Sequence, residues 1–93
     1  MIHSFRDKRT AALFAGLTPK GTPTDVAKRA YAKFATLAAA VEVDDLQSPP
    51  SNHLEALRGD RQGQWSVRVN AQWRICFIWR DGAAHDVEFC DYH

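Results

Sequence analysis

Residues able to do chemistry gather in the second half of the chain. The sequence ends on Asp91, Tyr92 and His93, and histidine is the side chain whose ordinary proton affinity lets it change charge near neutral pH. A neighbouring carboxylate, Asp91, can orient or bias the imidazole, while the Tyr92 phenol can stack on a base or donate its hydroxyl. Upstream, residues 58–80 hold Arg58, Arg61, Arg68, Arg74 and Arg80 against the single acid Asp60. All five bases are arginine, whose planar fork of donors matches phosphate or carboxylate in two-point contact where lysine offers a point charge. Proton transfer beside a neutralised anion is the chemistry these residue types support. Each has a plain alternative on chemistry alone, because chain ends ordinarily fray and arginines also serve exposed strands and ion pairs.

Other chemistries fit less well. His53, His85 and His93 lack the close spacing of a metal site, and Cys76 and Cys90 do not form a CxxC pair, so no metal and no cofactor is expected. The two cysteines fall within apolar strand sequence with no local basic motif to activate a thiol, and read as small apolar fillers. His3 and His85 read as surface or strand residues.

The net charge of +1 conceals alternating blocks. Residues 1–40 carry seven bases against Asp7 and Asp25, residues 41–57 carry four acids, the arginine block follows, and residues 81–93 carry four acids again. A chain of 93 residues suggests one domain over 1–93 with a modest core, so any active site must be shallow. No apolar run approaches the ~20 residues that span a bilayer, and the first twenty residues lack a signal-peptide apolar core. No membrane is expected, and the cytoplasm is the default location.

The elements that must position these residues fall in two halves. Ser4 or Asp7 can cap a short basic helix to about residue 15, with Gly16 as a left-handed stop. Thr22, Thr24 and Asp25 offer caps for a second helix whose stripe is Val26, Ala30, Phe34, Leu37 and Val41. One more turn is expected over 42–46, and then Ser48-Pro49-Pro50-Ser51 predicts an extended connection. After Asn52 the period becomes two. Trp65, Val67 and Val69, then Trp73, Ile75, Phe77 and Trp79, alternate with partners of opposite parity. Asn70-Ala71-Gln72 and Arg80-Asp81-Gly82 supply hairpin turns. Residues 83–89 follow as a final strand, residues 54–57 open the meander, and residues 2–5 can add an edge. Helices followed by strands predict an α+β domain in which two N-terminal helices pack on a twisted antiparallel sheet.

The aromatic residues Trp65, Trp73, Phe77 and Trp79 could form a base-stacking platform, but their strict alternation assigns them mostly to the core. On the other parity, Arg68 and Arg74 come from neighbouring strands. Placed together they repel unless an anion visits.

The stretch from Leu54 through Arg58-Gly59-Asp60-Arg61-Gln62-Gly63 to Asn70, the following Trp73-Arg74-Ile75-Cys76-Phe77, and the closing Asp91-Tyr92-His93 resemble the HigB toxins of the RelE superfamily. The resemblance runs from Met1-Ile2-His3-Ser4-Phe5 to the last residue. It implies the RelE-like microbial ribonuclease fold and a ribosome-dependent endoribonuclease that cuts translated messenger RNA in the decoding site of the 70S ribosome. It also implies a HigA-like antitoxin carrying a helix-turn-helix domain, with operator DNA reached only through that antitoxin.

Metal-free cleavage then needs a base for the 2′-hydroxyl, positive charge on the five-coordinate phosphorus and an acid for the leaving 5′-oxygen, giving a 2′,3′-cyclic phosphate. The resemblance assigns His93, with Tyr92 and Asp91, to proton transfer and base contact. Arg74 and Arg68 serve the phosphate, assisted by Arg58. Some family members carry a histidine four residues before the loop glycine, where this chain has Glu55. His53 lies two residues earlier, one strand period or ~6.5 Å away, so either Glu55 or His53 is the candidate to complete the acid-base pair. Glu55 could instead ion-pair with Arg58 or Arg61. The competing function is a non-catalytic RelE/ParE-fold toxin that inhibits an enzyme such as gyrase by binding.

Overall fold

The structure, a computed structural model, describes residues 1–91. Helix α1 (Lys8–Phe14) starts at Asp7, whose carboxylate accepts from both the backbone N–H and the hydroxyl of Thr10 at 2.7 Å, as a good N-cap does. The same hydroxyl accepts from the Phe89 N–H at 3.0 Å, and Thr10 is wholly buried. One threonine thus ties the helix cap to the last strand. Gly16 follows at φ 88°, the left-handed stop expected there.

Helix α2 (Thr24–Ala39) buries Val26, Ala27, Ala30, Phe34 and Leu37. Its start differs from expectation. The N-cap is Pro23 with no side-chain bond, because proline carries no side-chain oxygen at that position. Asp25 still lies in the first turn, where a carboxylate suits the helix dipole. Val41 is not part of the stripe but 74% exposed, since the helix has already ended. The expected extra turn is a 3-10 turn, Val43–Gln47, closed by a reciprocal cap between Glu42 and Asp45. The prolines of 48–51 do not keep the chain extended throughout, for Pro50–Asn52 forms a second 3-10 turn.

Four antiparallel strands follow in the order of the chain: β1 (Glu55–Ala56), β2 (Trp65–Arg68), β3 (Trp73–Arg80) and β4 (Ala83–Asp91). The Asn70 carboxamide oxygen accepts from the N–H groups of Gln72 and Trp73, both at 2.8 Å, and so builds the β2–β3 turn. Asp81 and Gly82 have φ 53° and 75°, the left-handed pair that a tight hairpin needs. Ile2 and Phe5 bridge in parallel to Ala84 and Val87 along the outer side of β4. A register shift between Cys76 and Ile78 lies opposite Asp86, which has φ 50°.

The core lies between the helices and one sheet face, where Val67, Ile75, Phe77, Val87 and Phe89 meet Leu13 and the α2 stripe. Trp65, Trp73 and Trp79 pack against it, so the tryptophans are core residues and form no open base platform. Trp73 stacks on Phe89 at 4.5 Å, and the Arg9 guanidinium lies 5.3 Å from the Trp73 ring, a cation–π contact. Among the described residues no helix is long and apolar enough to cross a membrane. Thr10→Val keeps the side-chain shape but orphans the buried Phe89 N–H, and should lower unfolding free energy by about 1–3 kcal/mol in urea titrations with an unchanged slope.

Candidate active site

The pairing register decides which side chains share the face away from the helices. Arg68 stands directly opposite Arg74, Ser66 opposite Cys76, Glu55 opposite Ser66, Cys76 opposite Glu88, and Arg74 opposite Cys90. Opposed residues project to the same side. This face therefore carries the row Glu55, Ser66, Cys76, Glu88 beside the row Arg68, Arg74, Cys90.

Two like charges set opposite one another need to be held. Arg74 Nε donates to the Ser66 hydroxyl at 2.7 Å, and its terminal nitrogen donates to the His53 carbonyl at 2.6 Å. Arg68 Nε donates to the Asn70 carbonyl at 3.1 Å. The Ser66 hydroxyl and the His53 and Asn70 carbonyls orient the two guanidinium groups. Ser66 is fully buried, which fixes its hydroxyl under Arg74.

The His53 carbonyl reaches Arg74 because of the turn before it. Asn52, 1% exposed, donates through its carboxamide to the carbonyls of Leu46 and Ser48 and accepts from Lys33 Nζ. His53 then adopts φ 44°, ψ 53°, a left-handed conformation that turns the chain into β1. It is not a strand residue, and the one-period relation to Glu55 expected from sequence does not hold. Its role on this face runs through the backbone, while the residue itself is exposed.

Glu55 is exposed on β1. Neither expected ion pair with Arg58 or Arg61 forms among the described residues, because Arg61 pairs with Glu88 at 3.1 Å. Arg58 is exposed at the start of the 3-10 turn Gly59–Arg61. Asp91 lies opposite Trp73, on the parity of the core-facing row, and accepts from Gln72 Nε2 at 3.1 Å. It stands one position along from Cys90, on the other side of the sheet from Arg74. Tyr92 and His93 lie outside the described residues.

Cys76 and Cys90 pack with Leu57 as a small buried cluster on this same face. Cys90 Sγ donates to the Glu88 carbonyl at 3.6 Å, and the neighbouring Cys76 thiol, aided by burial, pushes Cys90 well up. The Cys90 thiol in turn draws Cys76 down, against the effect of burial, with Arg61 and Arg74 adding to it. Arg74 lies two residues before Cys76 on β3 and shares its face, whereas Arg61 arrives from the loop before β2, which no local motif near either cysteine announced. Both cysteines are buried, which keeps them from attacking a substrate as nucleophiles. Among the described residues no group of three or more His, Cys, Asp or Glu side chains could hold a metal ion.

Ser66, Asn52 and Arg61 carry structural weight that sequence reading did not assign. Ser66 could have been found, since it shares the parity of Arg68. Asn52 gave no signal in a proline-rich stretch.

A model for the RelE-like toxin HigB of type II toxin-antitoxin systems matches residues 3–93. The chain belongs to the HigB-like toxin family. It is 34% identical over 93 residues to the endoribonuclease HigB of Proteus vulgaris, covering 100% of both chains. It is 40% identical over 62 residues to the toxin HigB-1 of Vibrio cholerae, covering 67% of this chain and 65% of that protein. Among solved structures, a YoeB-YefM complex from Staphylococcus aureus superposes with a TM-score of 0.63 at 13% identity, over 100% of this chain and 98% of that one. That likeness concerns the fold, which is RelE-like: two helices on a four-stranded antiparallel sheet.

The Asn52 staple yields a stability prediction. Asn52→Ala leaves the buried Leu46 carbonyl without its partner and should lower unfolding free energy by about 1–3 kcal/mol, read from the denaturation midpoint.

Proposed function

We propose that the chain is the toxin of a type II toxin-antitoxin pair and a metal-independent endoribonuclease that cuts translated messenger RNA in the ribosomal decoding site. The observation that carries this reading is the opposed Arg68–Arg74 pair, with Arg74 oriented by the Ser66 hydroxyl and the His53 carbonyl. A pair of guanidinium forks set opposite each other on the sheet face away from the helices, one of them oriented by a hydroxyl and a carbonyl, is suited to a phosphate that gains charge during reaction. Family membership supplies the toxin class, and the Proteus vulgaris relative is named an endoribonuclease.

In this reading a base removes the 2′-hydroxyl proton, the 2′-oxygen attacks phosphorus, and the five-coordinate centre is stabilised by Arg68 and Arg74. An acid protonates the departing 5′-oxygen, which leaves a 2′,3′-cyclic phosphate. His93 is assigned one of the two proton transfers and Tyr92 a stacking contact with a base. Glu55 is favoured over His53 for the other transfer, because it shares the face and pairing row of Ser66. Asp91 is given the task of fixing the end of β4 through Gln72, and Arg58 that of a peripheral phosphate contact. A shallow site of this kind suits a message already held open by the 70S ribosome.

The partner is read as a HigA-like antitoxin with a helix-turn-helix domain, which alone contacts operator DNA. The family description places these toxins in type II systems, and the solved neighbours are themselves toxin-antitoxin complexes.

Primer extension on messages from cells expressing the chain provides the test. Codon-specific cuts should appear with the native sequence. They should fall by about 10²–10⁴-fold for His93→Ala, as loss of an acid-base group requires. Arg74→Ala should lose about 10²–10³-fold, the cost of removing a preorganised charge donor. Toxicity without any cuts, or native cutting by both variants, would overturn the reading.

A further inference from the structure

Beside the arginine pair lies a cavity of about 240 Å³ between α2 and the β2–β3 turn. Arg29 and Lys33 line it from α2, Ser51 and His53 from the loop before β1, and Arg68 and Asn70 from the sheet. Arg29 and Lys33 are four residues apart and so share a helix face. No acidic side chain lines the cavity, and among the described residues neither Arg29, Lys33 nor Arg68 forms an ion pair. Three cations therefore converge on one hollow with no counter-charge.

The consequence is visible at Lys33. Burial, with Arg29 nearby adding repulsion, lowers its proton affinity below that of an ordinary lysine. Its ammonium is also anchored on the Asn52 carboxamide, which points a fixed charge at the cavity wall. An anion entering here relieves the repulsion and meets donors already in place. The cavity is continuous with the face already described, because Arg68 serves both and the His53 carbonyl receives Arg74.

We propose that this cavity is a second phosphate site, which takes a neighbouring phosphodiester of the RNA strand whose scissile phosphate sits at Arg74, with Arg29 and Lys33 as its binding residues. The proposal rests on the reading of the open face as an RNA-cleaving site. Its effect is to hold the strand at two points, which restricts its rotation about the scissile phosphate and sets the path it takes over the sheet. The α2 helix thereby takes part in substrate binding as well as in the core.

A salt titration tests it. Binding of a short, uncleavable 2′-O-methyl oligoribonucleotide is followed by fluorescence anisotropy for the native chain, Arg29→Gln, Arg29→Lys and the control Lys8→Gln on α1. Arg29 is chosen because Lys33 also supports Asn52. Arg29→Gln should weaken binding about tenfold at low salt and reduce the logarithmic salt slope by about 0.7, one phosphate contact on a single strand. Arg29→Lys should keep most of the slope, and Lys8→Gln should match the native chain. A parallel series with ribosomes lacking a message separates the sources of phosphate. Loss of binding there but not with the oligonucleotide would assign the cavity to ribosomal RNA and overturn the message-strand proposal. Native slopes for Arg29→Gln in both series would overturn the phosphate site altogether. Cleavage by Arg74→Ala is scored separately, so failure of the second site leaves the cleavage reading standing, and the reverse result is equally distinguishable.

Discussion

Two arginines face each other across β2 and β3, and much of the surrounding structure answers the problem this creates. Like charges directly opposite in an antiparallel pair are unfavourable, so each guanidinium has to be held by something other than its neighbour. Ser66 is buried to receive Arg74 from below, and the left-handed turn at His53 brings a carbonyl to its other end. Asn52 exists in its buried position to hold that turn. The helices contribute at one remove, since α2 supplies Lys33 to Asn52 and α1 ties Thr10 to Phe89 on β4. What results is a face on which two guanidinium groups are held side by side in fixed orientations.

The opposite face explains which side of the sheet the arginines take. Trp65, Trp73, Phe77 and Trp79 pack toward the helices, and strict alternation then leaves Ser66, Arg68 and Arg74 on the other side. Core and site are the two parities of the same strands. A one-residue slip in register would exchange them, so the large aromatic residues on β3 hold the arginines in place as well as stabilising the fold.

Much of this could be read from the sequence where periodicity or turn chemistry governs. The α2 stripe from Val26 to Leu37, the strands around Trp65 and Trp73, the turn at Asp81-Gly82 and the shared parity of Arg68 and Arg74 all follow from local pattern, but the register that sets the two arginines directly opposite does not. The errors fall where tertiary contacts decide. Val41 fits the helical period but lies past the end of α2, and Pro23 displaces the side-chain caps expected from its neighbours. His53 could not be placed because its left-handed backbone is fixed by Asn52, a residue with no local signature. The approach of Arg61 to Cys76 depends on how the loop before β2 folds back on the sheet, and the face that Asp91 takes depends on its pairing with Trp73.

The central claim is that the scissile phosphate docks on Arg74. It is tested most directly by measuring binding to programmed ribosomes whose message carries a 2′-O-methyl block and, at the scissile position, either the native phosphodiester or a neutral methylphosphonate. The native chain should lose affinity on the neutral linkage, whereas Arg74→Ala, already lacking one of the two arginine contacts, should discriminate between the messages much less. If Arg74→Ala discriminates between the two linkages as strongly as the native chain, the phosphate is held elsewhere and the account is wrong.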